Sequence, residues 1–209
     1  MKDLVNAAAL SFTKLLERRI HRGVLTTEDS VRFTFYAALL ADGRVLPEQV
    51  VMEYPHPKID GARVDTVLLD NQLVPVVAME FKYDREIPSG RNVPKPQKAG
   101  AIFRDMVRLL AVPSMDLRLL VHLSSQELAG YWSELRNGLS GVFGLKVGNA
   151  IEITGAYFSG RSETFHKSMG TWPGIVDLSC LVSATLRCGH ELRMYLIEQR
   201  QRIPPQPVA

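Results

Sequence analysis

The sequence predicts an α/β fold in which a helix, a three-stranded meander, a second helix and a fourth strand follow one another. One extra helix precedes this core and an α/β extension follows it. Three observations carry the prediction. Apolar residues recur at helical spacing over residues 4–20 and again beyond Thr27. Three short strand-like runs follow, separated by the turn signals Pro55-His56-Pro57, Asp60-Gly61 and Asp70-Asn71. After a loop rich in Pro, Gly and basic residues, helical spacing returns and leads into a last apolar run.

Residues 4–20 form the extra helix, with Lys14, Arg18 and Arg19 on its polar side. Thr26 or Thr27 caps the next helix, and Glu28, Asp29 and Ser30 occupy its first turn. Phe33, Tyr36, Ala37 and Leu40 are its expected buried stripe, and Gly43 closes it. Strands are expected at 49–54, 63–69 and 75–83, the last buried on both faces because its centre is Val76-Val77-Ala78-Met79. A helix over 97–110 turns Ile102, Met106, Leu109 and Leu110 inward, and 116–123 is another strand. Beyond it the expectations are a helix from Ser125 to about 139, a strand over 151–158 and a helix over 178–202. Residues 1–202 read as one domain with its core at about 26–123, and 203–209, with three prolines, as a disordered tail.

Of the 209 residues 46% are hydrophobic and 22% charged, enough for one packed core. No apolar run approaches the roughly 18 residues of a membrane span, and the start lacks the pattern of a secretory signal. The expected setting is the cytoplasm, with no membrane partner. Cys180 and Cys188, placed on the expected C-terminal helix, would be too far apart to bridge and read as free thiols. A net charge of +3 excludes a polycation, so any nucleic-acid contact must come from local basic clusters. The five histidines show no metal-ligand spacing. The Gly-rich stretch 141–148 lacks the Lys-Ser/Thr ending of a phosphate loop. Arg104 and Arg108 read as a solvated helix face, and Trp132 and Trp172 as core or interface residues.

The chemistry concentrates at the end of the third strand. In Met79-Glu80-Phe81-Lys82-Tyr83, side chains alternate, so Glu80 and Lys82 share one face. An acid and a lysine ending an otherwise apolar strand are unfavourable unless they pair or serve a purpose. A hairpin turning at Asp70-Asn71 brings Asp65 beside Glu80, and two carboxylates that close repel unless a cation joins them. The alternative reading of the same residues is a half-buried ion pair of Lys82 with Glu80 or Asp65.

An Asp on one strand followed by Glu-X-Lys on the next resembles the PD-(D/E)XK, or restriction-endonuclease-like, nuclease superfamily. The resemblance covers residues 26–123, about half of the chain, in the order helix, three strands, helix, strand. It implies a restriction-endonuclease-like core and a Mg²⁺- or Mn²⁺-dependent nuclease acting on DNA. Asp65, Glu80 and the Phe81 carbonyl would hold the metal, while Lys82 would orient or deprotonate the attacking water or offset transition-state charge. Glu28 sits where many members carry an assisting Glu in the first core helix, and Gln97 where some carry a Gln. Two positions depart from the pattern: Val64 precedes Asp65 where Pro is usual, and Ala101 stands where an aromatic often follows the Gln.

The loop leaving the third strand holds Arg91, Lys95 and Lys98, candidate phosphate contacts. The expected partner is nucleic acid, with a homodimer or a larger assembly compatible with the sequence. The competing expectation is a catalytically silent protein of the nuclease fold that binds nucleic acid or a partner as a subunit of an assembly.

Overall fold

The computed structural model describes residues 1–86 and 93–200. Two helices lead, α1 (Lys2–His21) and α2 (Glu28–Ala41). Thr27 caps α2 by accepting the Ser30 N–H at 3.2 Å, satisfying one of the donors a helix start leaves free. The meander β1 (Val50–Pro55), β2 (Arg63–Leu69) and β3 (Pro75–Asp84) is antiparallel throughout. Helix α3 (Lys95–Ala111) then connects to β4 (Leu117–Ser124), which pairs parallel to β3. The remainder is α4 (Gln126–Ser133), α5 (Ser140–Phe143), β5 (Ala150–Ile153), α6 (Glu163–Met169), β6 (Val176–Thr185) and β7 (Glu191–Gln199). The described residues thus form an α/β architecture of six α-helices and one open, mixed seven-stranded sheet, ordered β1-β2-β3-β4-β7-β6-β5.

Two apolar layers sandwich the sheet. On one face Phe12, Phe35 and Phe81 meet edge to face, with centroids 5.2 and 5.7 Å apart, and fix α1 and α2 over β3. On the other, Phe103 of α3 sits amid Phe143, Phe158, Phe165 and Trp172. Strand β3 is buried from both sides: Val77, Met79 and Phe81 face the first layer and Ala78 the second. Helices α3 and α6 cross in backbone contact at Gly100, where a Cβ would collide with the Phe165 carbonyl oxygen and come within 2.8 Å of Ser168 Cβ.

Several expectations fail. The buried residues of α2 are Val31, Phe35, Ala38 and Leu39, while Phe33 is 56% exposed. Both stripes have helical spacing, and contact with α1 and β3 selects the first. Of the helix expected over 178–202, the described residues 178–200 are not helical: β6 and β7 form an antiparallel hairpin, and β7 adds to β4. Val176, Leu178 and Cys180 alternate with Asp177 and Ser179 at the period of a strand, and burial against both layers overrides the helix preference of the Leu, Arg, Met and Glu in β7. Cys180 is therefore buried in β6 and Cys188 exposed in the hairpin turn, both as free thiols. Helix α4 ends at Ser133 rather than near 139, and Gly138 takes the left-handed conformation beyond it. The strand expected over 151–158 stops at Ile153 and becomes a helical turn. Among the described residues no helix is long and apolar enough to cross a membrane. The expected tail at 203–209 lies outside the described residues.

Candidate active site

The β2–β3 ladder runs Leu68↔Val77, Val67↔Ala78, Thr66↔Met79 and then stops. One more step would set Asp65 opposite Glu80. Alternate N–H groups of a strand point to the same edge, so those of Phe81 and Tyr83 face the gap where β2 leaves off. Buried N–H groups require acceptors, and two carboxylates supply them. Phe81 N–H donates to Asp65 Oδ2 at 2.8 Å, and Tyr83 N–H donates to Glu28 Oε2 at 3.0 Å. Glu28 reaches β3 because it lies in the first turn of α2, immediately after the Thr27 cap.

The face of β3 toward α3 carries Ala78, Glu80, Lys82 and Asp84 in alternation. Over it α3 lays a stripe at helical spacing, Lys98, Ala101, Asp105 and Arg108, polar but for Ala101. Lys82 Nζ lies 3.2 Å from Asp105 Oδ2 and 3.7 Å from Glu28 Oε1. Arg108 lies 3.5 Å from Glu80 Oε1 and 3.3 Å from Asp105 Oδ1, and also donates to the Arg63 carbonyl. Arg32 of α2 comes within 3.6 Å of Asp65 Oδ1. Four carboxyl groups (Glu28, Asp65, Glu80, Asp105) thus face three cations (Arg32, Lys82, Arg108).

Their environments push the groups apart. Burial, followed by the negative charge of Asp65, raises the Glu80 carboxyl to about 9; Arg108 opposes this only in part. Glu80 is 3% exposed and its Oε1 has no hydrogen bond. Near neutral pH the Glu80 carboxyl therefore favours its protonated form. Burial disfavours the Lys82 ammonium, but Asp105 and then Glu28 outweigh it and hold its pKa above the ordinary lysine value. Lys82 is a firmly charged cation. Burial also raises Glu28, against the pull of Lys82 and the Tyr83 N–H.

Of the residues singled out in the sequence, the structure brings Glu28, Asp65, Glu80 and Lys82 together. The N–H and C=O of one strand residue share an edge, so the Phe81 carbonyl faces the same gap while its ring packs on Phe35. Gln97 is not part of the cluster. It is exposed and lines a groove between α3 and α6 with Arg104, Lys167 and Ser168. Lys98 instead falls two turns before Asp105 on the β3 side, and its Nζ donates to the Arg85 carbonyl at 2.7 Å. Lys95 pairs with Glu86 at 3.5 Å and lies over the Tyr131 ring. Arg91 lies outside the described residues. Arg104 is exposed as expected of a solvated face, whereas Arg108 belongs to the cluster. Sequence reading missed Asp105, 1% exposed, together with Arg108 and Arg32. An available signal was the Asp105–Arg108 pair at i, i+3 beside the apolar stripe Ile102, Met106, Leu109.

Among the described residues no three His, Cys, Asp or Glu side chains form a ready metal-holding group. The donors that could take a hard cation are two carboxylates and a carbonyl: Asp65, Glu80 with its unpartnered buried oxygen, and Phe81. Such a set suits Mg²⁺ or Mn²⁺, which retain several waters. No family model, curated protein or solved structure matches the chain.

Proposed function

We propose that the chain is a divalent-metal-dependent phosphodiesterase with a restriction-endonuclease-like core, cutting nucleic acid and DNA first of all. The carrying observation is the meeting of Asp65 with buried Glu80 at the splayed end of β2 and β3, with Lys82 on the same face of β3 as Glu80. Burial and the charge of Asp65 hold the Glu80 carboxyl protonated, and its Oε1 lacks a hydrogen bond; a divalent cation would relieve both. The order α2, β1, β2, β3, α3, β4 agrees with that core.

Asp65, Glu80 and the Phe81 carbonyl would hold the cation, whose chemistry when bound would be to polarise the phosphodiester and lower the pKa of an attacking water. Lys82, whose ammonium Asp105 and Glu28 favour, offsets negative charge on the phosphoryl oxygens or orients that water. Asp105, buried and within 3.2 Å, is the positioning residue for Lys82. Lys98, on the same stripe, extends the positive surface toward the loop after β3. A second reading, a silent nuclease-fold subunit, is favoured by one observation: Arg32, Lys82 and Arg108 already pair with the carboxylates.

Incubating the purified protein with linear, circular and single-stranded DNA in Mg²⁺, Mn²⁺ or EDTA separates the two. Cleavage with metal and none in EDTA is expected. Lys82→Ala should slow it by about 100-fold or more with little loss of structure, since Arg108 still pairs with Asp105. Absence of cleavage under every condition, or a variant within a few-fold of wild type, would refute the assignment.

A further inference from the structure

Among the described residues Glu53, Leu73 and Ser114 are the non-glycines with positive φ. Leu73 and Ser114 lie in turns, but Glu53, at φ 52°, lies inside strand β1. A Glu in the left-handed region is strained, and the surroundings must impose it. Register shows where the strain falls. Met52 pairs with Thr66 and Tyr54 with Val64, so Glu53 stands level with Asp65 yet makes no rung with it. The Glu53 carboxylate goes to Arg32 Nη1, which is at the same time 3.6 Å from Asp65 Oδ1 and 3.3 Å from the Asp65 carbonyl oxygen. Arg32 Nη2 is taken by Asp29. A guanidinium whose side chain is 13% exposed is thus shared among three carboxylates, and its contact with Asp65 is the longest of the three.

We infer that Arg32 is the resident counter-cation of Asp65 in the metal-free protein and competes there with a divalent cation, while Glu53 and Asp29 draw Arg32 off. The inference rests on the metal site proposed above. Two cations on one carboxylate repel, so a metal at Asp65 gains if Arg32 withdraws. Asp29 and Glu53 already hold Arg32 closely, so the withdrawal breaks only its two longer contacts with Asp65, at 3.6 Å to Oδ1 and 3.3 Å to the carbonyl oxygen. The strained backbone of Glu53 is what places its carboxylate within reach.

The two sides of the competition predict opposite shifts. Arg32→Gln should lower the apparent Kd for Mn²⁺, measured by electron paramagnetic resonance of the free ion, by about fivefold or more, the scale of one charge about 4 Å away. Glu53→Gln, which leaves Arg32 one anion fewer, should raise it, and the double variant should behave as Arg32→Gln alone. Wild-type binding that Arg32→Gln leaves unchanged or weakens overturns the competition and leaves the metal site standing. A wild type that binds no Mn²⁺ overturns both. Should Arg32→Gln not fold, the half-exposed Glu53→Gln decides by itself: an unchanged Kd overturns the inference.

Discussion

Two buried carboxyl groups lie four residues apart on the same face of β3, and they have been treated oppositely. Asp84 meets His122, which stands two residues down the β3–β4 register level with Lys82, at 3.0 Å; both are buried and Trp132 and Phe143 close over the imidazole. Glu80 meets Asp65, a second acid; burial and that charge raise its pKa to about 9, and Arg108, 3.5 Å from its Oε1, offsets this only in part. The first pair completes itself inside the fold. The second stays incomplete because the cation beside Glu80, Arg108, is shared with Asp105, which is why candidate chemistry attaches to Glu80 and not to Asp84.

Breaking the complete pair should lower stability. Asp84→Ala strands the His122 Nε2, at a cost of about 1–3 kcal/mol. At about 2–4 °C per kcal/mol for a chain of this length, thermal melting should fall by several degrees. A melting temperature equal to wild type would mean that His122 finds another partner and that the contrast is false.

Relieving the incomplete pair should have an effect of opposite sign, absent near pH 4.5 and growing with pH. The folded-state pKa of Glu80, about 9, lies above its ordinary value of 4.5. Between these values the folded protein binds the extra proton, so stability falls as pH rises toward 9. Glu80→Gln removes the titration. In EDTA the variant should match wild type near pH 4.5 and melt higher near pH 9. Parallel melting curves across that range would show that Glu80 is an ordinary carboxylate.

The smallest effect belongs to a residue that belongs to neither pair. Gln97 is exposed on the α3–α6 groove, so Gln97→Ala should leave both melting and any metal-dependent cleavage within about twofold of wild type, as surface changes usually do. A larger loss of cleavage alone would return Gln97 to the site.

Glu80, Lys82 and Asp65 were legible because strand period and a short hairpin fix which side chains share a face within a few tens of residues. Glu28 was legible from its cap. Asp105 and Arg108 were not, because on a helix of mixed character a polar stripe reads as solvated until the facing strand is known to carry charge. Arg32 and Glu53 were further from reach: their meeting depends on a left-handed residue in an edge strand, which no local pattern announces. The β6–β7 hairpin was misread for the reverse reason. Its Leu, Met and Glu content favours a helix in isolation, and only two-sided burial makes it a strand.

The crossing at Gly100 gives the C-terminal part of the chain a mechanical role. Helix α6 adds no group to the cluster, yet it touches the backbone of α3 one turn above Asp105, with no room for even a methyl group between them. The height of α3 above the sheet, and so the reach of Asp105 to Lys82, is set from the far side by a backstop. The exposed residues of 163–169 can therefore vary in chemistry, whereas Phe165 and Met169 are held in the core and position 100 has a steric tolerance close to zero.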